Sequence, residues 1–353
     1  MKPLFKYPGG KGSEYRHLRK LFPKFDTYVE PFLGGGAVYW ATEADNWIIN
    51  DYSQELISIY RYTQAQDELF LNYLEDIGRV WKRKENFINV IRELLLERAE
   101  PRAGLLTEIS HVLLDLTNEL PKYYQWLEDY LRDSLIRKRK SLAKIAQKEE
   151  IKNWEENSLS ILGAGIYTYL RTLYNQTTFE QHPQLKTVLY LFIREYAYSS
   201  MFRYNADGMF NVPFGGNSYA KKDFLQRFNQ ITDNRVVDKL RNTTILQGDF
   251  SDAFIDQEGA FMFLDPPYDS EFSTYNLHVF DAKEQIRLCD ELLQVNQTKW
   301  LMVVKSTDFI EDLYEHDGWY KFRFDKSYSV NFKNRNEQDV KHLVITNYRL
   351  EDI

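Results

Sequence analysis

Residues 27–52 read TYVEPFLGGGAVYWATEADNWIINDY, and the fold turns on how this stretch is parsed. TYVEPF is a short apolar run that ends at a proline and Phe32, glycines 34 to 36 follow, and AVYWATEA can open a helix. NWIINDY at 46–52 reads as a second strand ending in Asp51, and SQELISIYRYT continues as a helix with Ser53 as its N-cap. Strand, glycine turn, helix, strand, helix is the opening of an α/β layered fold.

Glycines at a strand end let a ligand approach the backbone closely. Gly34 and Gly36 satisfy the first half of the dinucleotide-binding pattern, but its third glycine position holds Tyr39. Fifteen residues after Gly36, Asp51 offers a carboxylate that can accept from both hydroxyls of a ribose. Together with Gly248 and Asp249, which close another candidate strand, these residues describe a crevice for an adenosine moiety without a pyrophosphate.

Toward the N-terminus stands FKYPGGKGSE at 5–14. It looks like a triphosphate loop, yet Phe5 occupies the required glycine position and Gly12 the required Ser or Thr. What remains is a turn whose lysine and glycines suit an anion other than a triphosphate. Residues 1–24 hold seven Lys/Arg against Glu14 alone, a basic patch on a chain of net charge −7.

Toward the C-terminus, TTILQGDF (243–250), GAFMFLDPPY (259–268), KWLMVVKST (299–307) and KHLVITNY (341–348) each join a β-rich apolar run to a polar or turn-forming end. The helix EQIRLCDELLQV lies between two of them, so they continue the sheet that begins at Tyr28. Residues 66–190 differ: ENFINVIRELLLERAE and YYQWLEDYLRDSLIRKRKSLAKIAQKEE show helical apolar spacing with no competing strand pattern. Within this block the RKRK run at 137–140 reads as a solvated helix face, with phosphate contact as the alternative. The expected organisation is a catalytic domain in two parts, 1–65 and 241–353, around a mainly helical domain at 66–240.

Composition narrows the classes. No run reaches the eighteen or so apolar residues of a membrane span, and the basic, glycine-rich start has no apolar signal core. Cys289 is the one cysteine, which excludes an internal disulfide framework and a cysteine-rich zinc site and fits a reducing, cytoplasmic setting.

The most specific chemistry sits in DPPY, Asp265, Pro266, Pro267 and Tyr268, directly after the buried-strand pattern FMFL. The exocyclic amine of adenine is a poor nucleophile because its lone pair is delocalised into the ring. A carboxylate oxygen of Asp265 and the carbonyl of Pro266 can each accept one amino hydrogen and aim the nitrogen lone pair at an electrophile. The Pro-Pro backbone fixes that carbonyl, since proline locks φ. Tyr268 supplies a stacking face for a base taken out of its helix. A second polar stretch, MFRYNADGMFNVPFGG at 201–216, offers a guanidinium fork in Arg203, a stacking ring in Tyr204, amide pairs in Asn205 and Asn211, and a hairpin turn at Asp207 and Gly208.

The order FKYPGGKG, EPFLGGG, NDY, FRYNADGMFNVPFGG, DPPY resembles the Dam (D12, α-group) family of DNA adenine-N6 methyltransferases. The resemblance implies a Rossmann-like sheet dependent on S-adenosylmethionine, an inserted helical target-recognition domain, and methyl transfer to a flipped adenine in a specific duplex sequence. It implies that Tyr7, Gly9, Gly10 and Lys11 flank the cofactor, the lysine near its carboxylate and Tyr7 near its adenine. Glu30, Phe32, Gly34 and Gly36 would line the methionine side, Asp51 would hold the ribose, Asp249 and Phe250 would border the adenine, and Asp265 would touch cofactor and base. Lys6, Arg203, Tyr204, Asn205 and Asn211 would meet DNA. The product is S-adenosylhomocysteine, and no metal is called for because the leaving group is already cationic. The resemblance also admits a cognate restriction endonuclease as partner and a prokaryotic or phage origin. Two departures stand out. Members that read GATC carry a basic residue where this chain has Ala206 and Asp207, and an acid cannot donate to guanine O6 and N7. Ser199, Ser200 and Met201 stand where those enzymes have Asn-Gly. The same amine geometry serves N4-cytosine or RNA adenine methylation, and a DNA-binding protein could keep the fold without activity.

Overall fold

The computed structural model describes residues 1–7, 10–12, 14–97, 101–148, 150–267, 280–325 and 341–350. They form two compact units: Met1–Pro3, Gly9–Ile57 and Asp238–Ile353 in one, Leu4–Pro8 and Ser58–Val237 in the other.

The first unit is built on a seven-stranded sheet of order β3-β2-β1-β4-β5-β7-β6. Its strands are β1 (Thr27–Glu30), β2 (Asn46–Ile49), β3 (Thr243–Ile245), β4 (Ala260–Leu264), β5 (Lys299–Lys305), β6 (Tyr320–Asp325) and β7 (Lys341–Thr346). The first five pair in parallel, and β7 runs antiparallel to both β5 and β6. All five residues of β4 are buried, as expected for a parallel strand covered on both faces. Alternation sorts its side chains: Phe261 and Phe263 meet Phe22, with Phe25 stacked 5.1 Å from Phe261, while Met262 and Leu264 join Leu288, Trp300 and Met302 on the other face. The sequence reading missed β6, because YKFRFD alternates apolar with charged residues at an edge and lacks the continuous apolar run of the inner strands.

From β1 the chain steps to β2 and β3 on one side, then returns to β4 on the other side of β1. The strand order therefore reverses between β1 and β4. Crevices outside the carboxyl ends of strands at such a reversal are where open α/β sheets bind ligands.

The second unit is helical. The Trp154–Gln176 helix is its centre, with fourteen buried positions. Gly165 on that helix leaves room for Leu131 of the Tyr124–Ile145 helix, whose side chain would come within 2.6 Å of an added Cβ. Trp81, Phe192, Tyr196 and Phe224 fill the core with ring contacts of 4.2 to 6.1 Å, so much of the chain's aromatic content is packing. Among the described residues no helix is long and apolar enough to cross a membrane.

Candidate active site

The site in the sheet unit grows from the ends of β1, β2 and β4. Val29 pairs with Met262, so Phe32 and Asp265 leave neighbouring strands three residues beyond one level. After β1 the chain turns through Gly34 (φ 49°) and Gly36 (φ 63°), a left-handed conformation that costs glycine little. The turn is tied to the end of β2. Gly34 N–H donates to Asp51 Oδ2 at 2.8 Å, and Ser53 N–H donates to Asp51 Oδ1 at 2.9 Å. Asp51 is only 8% exposed, so its carboxylate is held rigidly at the crevice rather than in solvent.

Asn50 precedes Asp51 in the NDY motif. It is buried, and its Nδ2 donates to the carbonyls of Pro31, Gly248 and Asp249 at 3.1, 3.2 and 3.2 Å, strapping the ends of β1 and β3 together. Ser53 acts as expected, its Oγ accepting from Leu56 N–H at 3.3 Å.

At the end of β4, Asp265 meets Lys11. Lys11 Nζ donates to both carboxylate oxygens at 2.7 and 2.9 Å, with the lysine side chain 2% exposed and the carboxylate 21%. Burial pushes the Asp265 carboxyl above its ordinary value, and the Lys11 ammonium pulls part of that back. Pro266 is buried and Pro267 exposed. Gly10 is exposed in the opening loop, whereas Gly9 and Tyr268 lie outside the described residues.

Glu30, the last residue of β1, accepts a 2.8 Å hydrogen bond from Tyr28 Oη. Burial pushes its carboxyl up to about 8, despite the hydrogen bond that opposes the shift, and Asp265 adds like-charge repulsion. Asp249 Oδ1 accepts from Ser251 N–H, Ser251 Oγ and Arg287 Nη1, while Oδ2 accepts from Arg287 Nη2 at 2.6 Å. These donors, the guanidinium first, hold its carboxyl well below the usual range. Phe250 stacks on Phe32 at 5.2 Å and carries the Arg287 guanidinium 4.1 Å above its ring. Arg287 was missed because nothing local marks one arginine of an amphipathic helix as the partner of an aspartate 38 positions away.

The helical unit holds the other expected residues. Lys6 is exposed and its backbone N–H donates to Glu195 Oε1 at 3.3 Å; the Tyr7 ring lies 4.6 Å from the Arg194 guanidinium. In the 201–216 stretch, Tyr204 and Phe210 form an antiparallel bridge, and Asn211 N–H donates to the Arg203 carbonyl at 3.1 Å. Arg203 Nε donates to Asn211 Oδ1 at 3.0 Å, which orients the guanidinium plane. Asn205 Oδ1 accepts from the N–H groups of Asp207 and Met209, so this oxygen holds the turn. Tyr204 Oη meets Tyr174 Oη at 2.9 Å.

A model of the D12 class N6 adenine-specific DNA methyltransferase family matches residues 7–125 and 112–324. The chain belongs to that family. It is similar to the Type II methyltransferase M.CviBI of Paramecium bursaria Chlorella virus NC1A, 24% identical over 357 residues that cover 99% of this chain and 100% of the relative. The Type II methyltransferase M1.LlaDCHI of Lactococcus lactis subsp. cremoris is 22% identical over 99% of this chain and 96% of its own. The Retron Ec67 DNA adenine methylase of Escherichia coli is 22% identical over 90% and 81%. As a D12 methyltransferase, the chain is an enzyme of adenine-N6 methylation in DNA, and its seven-stranded sheet is the Rossmann-like methyltransferase sheet the sequence resemblance implied.

Proposed function

We infer that this D12 methyltransferase takes its methyl group from S-adenosylmethionine and delivers it to an adenine flipped out of a specific duplex sequence, at Asp265 and Pro266. The observation that carries the reading is the position of Asp265 at the end of β4, beside the reversal of strand order, with Lys11 on its carboxylate.

The residues present fit the cofactor. A carboxylate oriented by two backbone N–H groups, Asp51, matches a ribose diol; the Phe250 ring matches a flat adenine, with Phe32 stacked beside it toward the methionine side; positive-φ glycines leave the turn after β1 without side chains. Bound there, S-adenosylmethionine supplies an electrophilic methyl on a sulfonium. Asp265 and the Pro266 carbonyl each accept one hydrogen of the target amine, which orients its lone pair and stabilises the positive charge that develops on nitrogen. Lys11 holds the Asp265 carboxylate ionised and in place, a role beside the cofactor contact the sequence suggests. Glu30, Gly34 and Gly36 line the methionine side, Tyr268 stacks on the base, and Lys6, Arg203, Tyr204 and Asn211 engage the duplex, with Asn205 shaping the hairpin that presents them. The reaction belongs to a reducing, cytoplasmic compartment.

Digestion of treated DNA to nucleosides, followed by mass spectrometry, tests the reading. N6-methyladenine should form with wild-type protein and disappear with Asp265→Asn, while S-adenosylmethionine and DNA still bind by calorimetry; undiminished methylation by the variant overturns it.

A further inference from the structure

The fold divides the basic run at 137–140. Lys138 turns inward, its Nζ donating to Asn217 Oδ1 at 3.1 Å, and Arg139 donates to the Leu94 carbonyl at 2.9 Å. Arg137 and Lys140 remain exposed, and Lys144 continues their line one turn further along the Tyr124–Ile145 helix. At 3.6 residues per turn these three fall within an arc of about 60°. Leu131, Leu135 and Leu142 are buried on the other side of the helix.

The stripe departs from the rest of the unit. Two other exposed helical arginines sit one turn from a carboxylate they bind, Arg79 with Glu75 and Arg132 with Glu128. From 134 to 148 the sequence has six Lys/Arg and no Asp or Glu, in a chain of net charge −7. Asp133, one turn before the stripe, gives Arg137 a backbone carbonyl. Like charges three and four residues apart destabilise a helix. A polyanion laid along the stripe would relieve that repulsion, and the family's substrate is a polyanion.

Its location suits that substrate. Asn217, which Lys138 holds, directly follows the 201–216 stretch. The Trp154–Gln176 helix joins the two features: Gly165 faces Leu131, Glu156 pairs with Lys221, and Tyr174 and Asn175 hold Tyr204 and Phe210. Measured along that helix at 1.5 Å per residue, the stripe lies roughly 20–27 Å from the hairpin end, about six to eight base pairs at 3.4 Å each.

We propose that Arg137, Lys140 and Lys144 bind the phosphate backbone of duplex DNA outside the methylated sequence. The proposal rests on the DNA-methylating reading above and extends it to flanking duplex that no base-reading residue touches.

The test uses the full chain with Arg137→Gln, Lys140→Gln and Lys144→Gln combined. Affinity is measured against KCl concentration by fluorescence anisotropy, on duplexes of about 12 and about 40 base pairs centred on the methylated sequence. On the long duplex the variant should lose about 2.7 from the slope of log K against log salt, at about 0.9 per phosphate contact; on the short duplex the slope should match wild type. An unchanged slope on both, or an equal loss on both, overturns the proposal. If circular dichroism shows the triple variant unfolded, Lys144→Glu alone decides: a slope lowered by about one on the long duplex only supports the proposal, and no change overturns it. Wild-type protein that binds neither duplex would instead overturn the DNA reading itself.

Discussion

The strand ends of the sheet unit and the 201–216 stretch of the helical unit both present carboxylates, amides and cations, but in opposite surroundings. Lys11, Glu30, Asn50 and Asp51 are each under a tenth exposed, and Lys11, Asn50 and Asp51 bind partners 17 to 254 positions away, at Asp265, Pro31, Gly248, Asp249 and Gly34. Arg203, Asn205 and Asp207 are exposed, and their side-chain bonds stay within eight residues. Buried charge is expensive unless matched, so the first region is stiff and its ionisation is perturbed. Exposed charge costs little and can trade its partner for a ligand, which is what a sequence-reading surface needs. Desolvation strengthens electrostatics in the first region, and water keeps the side chains of the second exchangeable.

Substitutions should sharpen or break that contrast. The largest effect is expected at Asp265→Ala: kcat falls by about 100-fold or more as the acceptor for the target amine is lost. Removing one member of its ion pair with Lys11 should also cost about 3 kcal/mol of stability, measured by urea unfolding. A variant that keeps wild-type turnover would break the assignment of chemistry to the buried region.

Next comes Glu30→Gln. A carboxyl whose folded-state value is raised from 4.5 to about 8 contributes stability that is fully present below about 4.5 and is lost as pH rises through about 8. Wild-type protein should therefore lose on the order of 5 kcal/mol across that window, and Glu30→Gln should flatten the loss. Parallel stability curves for the two proteins would show that Glu30 is not held neutral by burial.

Lys11→Met removes the cation that lowers the Asp265 carboxyl. The acid limb of the kcat/KM profile should move to higher pH, because the ionised carboxylate is needed and burial then acts unopposed. A limb that stays in place would separate the ion pair from catalysis.

At the exposed region, Arg203→Lys should lower discrimination between the methylated sequence and single-base variants by about 1–3 kcal/mol, since an ammonium lacks the planar fork. Cofactor affinity should not change. Gly208→Ala should have the smallest effect. Gly208 sits at φ 72° with nothing within 4 Å of an added Cβ, so only backbone strain of about 1 kcal/mol is at stake, read as a small shift in melting temperature. A loss of several kcal/mol would show that the hairpin is as rigidly built as the sheet ends.

Much of the site was legible because its residues sit at strand ends, where a motif is local. Asp265 follows FMFL, Asp51 follows NWII, and Gly34 and Gly36 follow TYVE, so period and punctuation locate them. Arg287 and the strapping role of Asn50 were not legible, because each depends on a partner in another segment. The edge strand β6 escaped for a related reason: it alternates apolar with charged residues instead of running apolar.

By itself the sequence determined the α/β sheet, through apolar runs of strand length, and the turn and carboxylates that close its strands; the antiparallel direction of β7 was not legible there. It also determined that the block from 66 to 190 is helical, through its apolar period. Only the tertiary structure decided that Lys11 faces Asp265, that Glu30 is buried with its carboxyl pushed upward, that Asp249 is engaged by Arg287, and which cations of the RKRK run face outward. Local pattern reports which side of a strand or helix is buried. It carries no record of which distant charge shares that burial, and that pairing sets the electrostatics of the site.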